Sequence, residues 1–162
     1  MHRVARDLLN ADGLTDVHPV TSGGKGMHRY ASLSGSQSGS LSGSQSGSQS
    51  GSQSGSQSTD SHAYARQFAK LLTGQLPDLV LNTMAKANRA GKVFVDWSQN
   101  NPAKTTITPY SMRGRQHPTV AAPRTWDEIS QGAQDPTSLE HLTYHQVVER
   151  IESMGDLLAP QS

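Results

Sequence analysis

Residues 34 to 57 are six tandem copies of Ser-Gly-Ser-Gln, broken only where Leu41 replaces one glutamine. A stretch so poor in apolar side chains cannot repay the entropy of being ordered, and Gly/Ser chains of this kind act as flexible tethers. It is therefore expected to loop out of whatever the rest of the chain builds. What remains of the 162 residues is enough for one domain with a real core and too little for a second. That domain is expected in two stretches, a helix, strand and glycine-loop segment over residues 1–33 and the larger remainder over residues 58–162. The array also explains part of the low hydrophobic share, 33% against the ~45–50% usual in globular proteins. No apolar run approaches the roughly 18 residues of a membrane span. The N-terminus, MHRVARDLLNADG, is charged throughout with no signal-peptide core, so a soluble, intracellular protein without membrane contact is expected. With no cysteine in the chain, a disulfide scaffold, a thiolate zinc site and a cysteine nucleophile are excluded. Any metal must be held by carboxylates or histidines.

The net charge of +1 hides an asymmetry. From Lys86 to Arg124 there are seven bases (Lys86, Arg89, Lys92, Lys104, Arg113, Arg115 and Arg124) and one acid, Asp96. From Thr125 onward seven acids face the single base Arg150. Such a basic block is either an ordinary solvated face or a polyanion-binding surface around a lone carboxylate.

Patterning predicts an α/β or α+β fold. His2 to Ala11 reads as an amphipathic helix ended by Gly13, and strands are expected at Val17–Val20 and Met27–Leu33 with a glycine turn between them. After the array, Thr59 or Asp60 can cap a helix over Ser61–Thr73 whose stripe is Tyr64, Phe68, Leu71 and Leu72. A second helix is expected over Asp78–Arg89, then strands at Lys92–Trp97 and Lys104–Thr108. Thr125 caps a short turn at Trp126–Ile129, and Thr143 caps a last helix, Tyr144–Met154. There Tyr144, Val147, Val148, Ile151 and Met154 share a face, and Gly155 stands at the C′ position.

Two segments carry chemistry. In Thr21-Ser22-Gly23-Gly24-Lys25-Gly26-Met27-His28, glycines allow a tight turn and close approach to a phosphate, Ser22 offers a hydroxyl and Lys25 a compact charge. The spacing is not that of a Walker A loop, and an ordinary hairpin turn fits the same residues. Asp96 ends the apolar run Val93-Phe94-Val95. A carboxylate there needs donors, a cation or a metal, so pairing with a nearby arginine or lysine stands beside metal ligation. Gln99, Asn100 and Asn101 follow as a polar cluster, and Arg113-Gly114-Arg115 sets two guanidiniums beside a flexible residue, suited to phosphate oxygens. His141 and His145 lack a third zinc ligand of suitable spacing, and Trp97 and Trp126 read as core aromatics.

The words VTSGGKGMHRYASL, GKVFVDWSQNNPAKTTITPYSMRGRQHPTVAAPRTWDEI and LEHLTYHQVVERIESMGDLL resemble the polymerase domain of bacterial ligase D, of the archaeo-eukaryotic primase superfamily. The resemblance covers nearly all of the chain outside the array. It implies the C-terminal part of a primase-polymerase fold and nucleotidyl transfer in non-homologous end joining. It further implies nucleotide-binding roles for Ser22, Lys25, His28, Gln99 and Arg113, and a metal-binding, catalytic role for Asp96 toward Mn2+ or Mg2+. The partners implied are DNA ends and a nucleoside triphosphate, preferably a ribonucleotide, with a ligase domain or an end-binding repair protein nearby in a bacterial, nucleoid-associated cytoplasmic setting. The five nucleotide-binding residues are expected to converge on one anion site beside Asp96.

This sequence departs from the family in what precedes the glycine loop, where the upstream half of the family domain with its 5′-phosphate-binding basic residues is not found. The family supplies an Asp-x-Asp pair upstream of the glycine loop, and no acid-x-acid pair occurs here. One carboxylate cannot position both reactants in a two-metal mechanism, so the chain is expected to be inactive alone. The alternatives are half of a two-chain polymerase whose partner carries the upstream half, or a non-catalytic nucleotide- or DNA-binding remnant.

Overall fold

The computed structural model describes residues 1–31, 54–85, 89–101, 103–114 and 116–159, with the side chains of 54–60 outside the description. In chain order its elements are α1 (His2–Ala11), β1 (Val17–Thr21), β2 (Met27–Ala31), α2 (Ser54–Gln75), β3 (Val80–Leu81) and β4 (Val93–Phe94). A 3₁₀ turn at Trp97–Asn100 follows, then β5 (Met112–Arg113), β6 (Thr119–Val120), β7 (Ala122–Pro123), α3 (Trp126–Gln134), a second 3₁₀ turn at Pro136–Ser138, and α4 (Tyr144–Met154). The mixture is α+β, as the patterning predicts. None of the described helices is long and apolar enough to cross a membrane.

The chain divides into two compact units, each assembled from two stretches of sequence: Met1–Thr15 with Ser32–Thr106, and Asp16–Ala31 with Ile107–Ser162. In the first, α1 buries Ala5 and Leu9. It ends where Gly13 takes φ +84°, which lets the Gly13 N–H reach Asn10 O (3.0 Å) and the Leu14 N–H reach Leu9 O (2.9 Å). A residue with a side chain would resist that left-handed turn. Along α2 the buried positions Ser61, Tyr64, Phe68, Ala69 and Leu72 recur at helical spacing. The Tyr64 hydroxyl donates to Asp12 Oδ2 (2.8 Å), tying α2 to the end of α1. Burial and that carboxylate push the Tyr64 phenol above its ordinary range.

Several expectations are corrected here. The helix begins at Ser54, so the last Ser-Gly-Ser-Gln copy belongs to its first turn rather than to a tether. The tether expected over residues 34–57 otherwise lies outside the described residues. Leu71, expected in the stripe, is exposed. No α-helix forms over Asp78–Arg89 in the described positions: a turn leads into β3, which pairs in parallel with β4, Val80 opposite Val93 and Leu81 opposite Phe94. A short apolar run carries no periodicity that separates strand from helix, and the distant pairing decided. The strand expected over Lys92–Trp97 shrinks to Val93–Phe94, because Asp96 caps the 3₁₀ turn at Trp97. Lys104 to Thr108 forms no strand, its first N–H turning back to Asn101 O (2.9 Å).

The second unit has a three-stranded antiparallel sheet in the order β2-β1-β7 and a short antiparallel pair of β5 with β6. Val120, Ala122, Leu142 and Val147 form its core, with Tyr110 packed against them. Thr125 and Glu128 make a capping box at α3, which runs five residues beyond the expected turn. Glu128 also bonds Arg124 (3.0 Å) and Arg150 (2.8 Å), joining α3 to α4. The buried Arg124 guanidinium donates as well to the Glu140 carbonyl. The limits of α4 and its end at Gly155 (φ +78°) are as the sequence predicts. Its apolar face is not: Val147 is buried, whereas Tyr144, Ile151 and Met154 stand exposed.

Candidate functional site

The glycine turn is built from a distance. β1 and β2 pair with Thr21 opposite Met27, and the turn between them closes as the Ser22 N–H donates to Gly26 O (2.9 Å) and the Gly26 N–H to Ser22 Oγ (3.2 Å). Gly23 sits at φ +65°, and a Cβ there would lie 3.1 Å from Arg113 Cγ and 3.1 Å from Val120 O. Glycine is required on both counts, conformation and space. From β5, Arg113 Nε donates to Ser22 O (2.9 Å), and from β6 the Thr119 hydroxyl donates to Gly23 O (2.7 Å). Ser22 is buried, Lys25 is exposed at the crown of the turn, and Arg113 is half-buried. His28 lies on β2 opposite Val20, half-buried, its ring 6.0 Å from that of Tyr30 on the same strand face.

The first unit holds Asp96 by short-range bonds. Its Oδ1 accepts from the Ser98 N–H (3.2 Å) and hydroxyl (2.5 Å), and its Oδ2 accepts from Gln99 Nε2 (3.0 Å). Lys104 Nζ donates in turn to Ser98 Oγ (2.5 Å). Burial alone would raise the Asp96 pKa, but the Ser98 and Gln99 donors and the Lys104 charge outweigh it and hold the carboxyl below its ordinary range. Asp96 is therefore an ionised, exposed carboxylate in a prepared orientation. Trp97 is half-buried, its indole N–H donating to Asn82 O (3.1 Å), with the Arg66 guanidinium 5.3 Å from its ring centroid.

Of the predicted residues, the structure joins Ser22 with Arg113 in one unit and Asp96 with Gln99 in the other. The Ser22 hydroxyl shapes the loop from inside. Arg115 lies outside the described residues. Sequence reasoning missed Thr119 and Ser98; Lys104 was among the bases weighed as partners for Asp96, and its charge acts on the carboxylate beside the Ser98 hydroxyl it bonds. Ser98 carries a readable signal, a hydroxyl two residues after an aspartate at a turn. Nothing local marks Thr119, whose partner is 96 residues away. As for a metal, no group of three His, Asp or Glu side chains that could hold an ion occurs among the described residues. One carboxylate, already accepting three bonds, does not by itself fit a two-ion centre.

Comparison with known proteins gives one family. The family model "LigD, primase-polymerase domain" matches residues 42–158. The "Multifunctional non-homologous end joining protein LigD" of Mycolicibacterium smegmatis is 48% identical over 159 residues, covering 98% of this chain and 18% of that protein. The "Bifunctional non-homologous end joining protein LigD" of Bacillus subtilis is 30% identical over 148 residues, covering 91% of this chain and 20% of that protein. Among solved structures, the polymerase domain from Mycobacterium tuberculosis ligase D in complex with DNA superposes with a TM-score of 0.77 at 46% identity. The match covers 97% of this chain and 46% of that one. The chain thus spans about a fifth of the full-length relatives it matches and under half of the solved domain.

Proposed function

The chain belongs to the LigD primase-polymerase family, and from that premise we propose that it is part of a ligase D-type repair polymerase acting at DNA ends in non-homologous end joining in the bacterial cytoplasm. Its task in that reading is to grip the triphosphate of an incoming nucleotide, preferably a ribonucleotide. Lys25 and Arg113 supply the cationic donors, Arg113 by the planar geometry that suits phosphate oxygens. Ser22 keeps the loop closed, and His28 and Gln99 are assigned to the same nucleotide on the family resemblance. Asp96 is the one family carboxylate this sequence contains. Manganese or magnesium would need further carboxylates from outside this sequence, so nucleotide addition by the chain alone is not expected.

The observation that carries the reading is the Arg113–Ser22 bond, which draws a family arginine onto the glycine loop across 91 positions of sequence. Titration of the purified chain with a nucleoside triphosphate tests it. Binding is expected to persist without divalent ions and to fall as salt rises. Arg113→Ala should weaken it at least tenfold, and Asp96→Asn should leave it unchanged or tighter, since a negative charge is removed. Unaltered affinity in Arg113→Ala would refute the assignment. Metal-dependent primer extension by the purified chain, lost in Asp96→Asn, would overturn the inactivity of the chain alone.

A further inference from the structure

β5 is too short to set its own register. Only Met112 and Arg113 pair with Val120 and Thr119, and Met112 is 60% exposed. No buried face on β5 therefore forbids a one-residue slip, which would turn Arg113 away from the glycine loop. The register is pinned just before the strand, at Tyr110. Among the described residues Tyr110 is the one non-glycine with positive φ, +66°. The Ser111 N–H donates to Thr108 O (3.2 Å) with Pro109 and Tyr110 between them, the pattern of a type II turn, whose third position ordinarily takes glycine. A bulky residue keeps such a backbone only where its surroundings hold it there.

Backbone, ring and hydroxyl of Tyr110 all do so. Its N–H donates to Ala121 O (2.7 Å), and the Ala121 N–H to Ser111 O (2.9 Å), which opens the β5–β6 hairpin. The ring packs on the core of Val120, Ala122, Leu142 and Val147. The hydroxyl donates to the Asp156 carboxylate, 46 positions on and just past the end of α4. Asp156 Oδ1 also accepts the Leu158 N–H (2.9 Å), and Gly155 and Leu157 line one cleft with Tyr110. Burial and the Asp156 carboxylate push the Tyr110 phenol above its ordinary range, so the hydroxyl stays a donor. We propose, on the basis of the triphosphate reading above, that Tyr110 and Asp156 are positioning residues for that site: their bond clasps the segment after α4 to the turn before β5 and so holds the Arg113 guanidinium on the glycine loop. Arg113 Nε is bound to Ser22 O, so the direction of its terminal nitrogens follows from where β5 is held. The Tyr110–Asp156 bond is exposed, and exposed polar pairs contribute little to stability. Its loss should change the aim of Arg113 rather than the folding of the unit.

Two readouts on the purified chain test this: affinity for ATP without divalent ions, and solvent exchange of the Arg113 Nε–H followed by NMR. Tyr110→Phe keeps the ring and removes the hydroxyl. It should weaken ATP binding about fivefold and speed the Nε–H exchange by a similar factor, at an unchanged melting temperature. Asp156→Ala should do the same, although removing a negative charge would by itself tighten the binding of an anion; the sign separates positioning from electrostatics. Asp156→Asn keeps an acceptor for the hydroxyl and should retain most of the affinity. Glu152→Ala removes an exposed acid of α4 that has no part in the clasp and should bind ATP at least as tightly as the parent chain. Unchanged ATP affinity or unchanged Nε–H exchange in Tyr110→Phe would overturn the proposal, as would affinity that drops only together with the melting temperature. Arg113→Ala keeps the two readings apart. Loss of binding there with none in Tyr110→Phe and Asp156→Ala refutes the clasp alone, whereas full affinity in Arg113→Ala refutes the triphosphate assignment and the clasp with it.

Discussion

The turn around Asp96 and the glycine loop are both tight and rich in hydrogen bonds, but they are held in opposite ways. The side-chain bonds that fix the Asp96 carboxylate come from Ser98, Gln99 and Lys104, none more than eight positions away, and the Trp97 indole of the same turn reaches only 15 positions back to Asn82 O. The glycine loop hangs from Arg113 and Thr119, 91 and 96 positions away, and the strand leading into it from Ala122, through a buried Thr21 bond of 3.1 Å spanning 101 positions. A local turn keeps its shape wherever its few residues keep theirs. A loop suspended from distant strands exists only while those strands are in place, so its geometry reports on the integrity of the whole unit.

The sharpest way to break that comparison is at Arg124, which is buried at 5% exposure and bonds Glu128 and the Glu140 carbonyl while its N–H meets Pro19 O (2.9 Å). Arg124→Ala strands part of that network in the interior and should cost about 3–5 kcal/mol in denaturant unfolding. The glycine loop should lose its order with it. Next, Gly23→Ala should cost about 2–4 kcal/mol, combining the left-handed backbone with a methyl forced against Arg113 and the Val120 carbonyl. Gly91→Ala is the matched control. Its φ is +71° but open space surrounds the position, so about 1 kcal/mol is expected there. In the Asp96 turn, Ser98→Ala should cost only about 1 kcal/mol. Amide spectra should change within a few residues and leave the glycine loop untouched; a change that reached the loop would erase the distinction between the two regions.

The smallest effect is a pH dependence. Burial alone would raise the Glu128 pKa, yet the Thr125 N–H and the Arg150 and Arg124 guanidiniums hold it below the ordinary glutamate value of 4.5. A depressed folded pKa contributes stability above the unfolded value, lost as pH falls through the folded one. Melting temperature should therefore decline below about pH 4.5, and Glu128→Gln should flatten that decline while lowering the plateau at neutral pH.

What could be read in advance follows the same division. Some helix ends declared themselves, because caps are local: Thr125 before α3, Thr143 before α4, and the glycines at 13 and 155 lie where their side chains, or lack of them, predict, whereas Thr59 and Asp60, expected to cap α2, lie inside a helix that begins at Ser54. The hairpin around the glycine loop was equally legible from its punctuation. Misreadings fell where a distant partner overrules a local preference. Val80 and Leu81 sit in a run that suits a helix until Val93 and Phe94 pair with them, and Lys104 to Thr108 is β-branched yet finds no neighbouring strand. The exposed Tyr144 and Ile151 show that helical spacing identifies an apolar face without revealing what covers it. At the site, Asp96 and Gln99 were visible as a motif. Thr119 was not, since a threonine in an extended run carries no mark of the carbonyl it will meet.

Proline 19 has a consequence for how such a chain is made. Its carbonyl points toward the edge of β1 that later receives β7, where it accepts the Arg124 N–H. The ring removes the donor that any other residue would present on that side. On the ribosome, β1 and β2 are complete about a hundred residues before Ala122 emerges, a wait of roughly 5–20 s at ordinary elongation rates. During that interval the nascent hairpin displays the bare edge of what will become the central strand, the kind of edge on which neighbouring polypeptides aggregate. A proline in the middle of that edge lets it wait for its own strand while offering a poor template to any other.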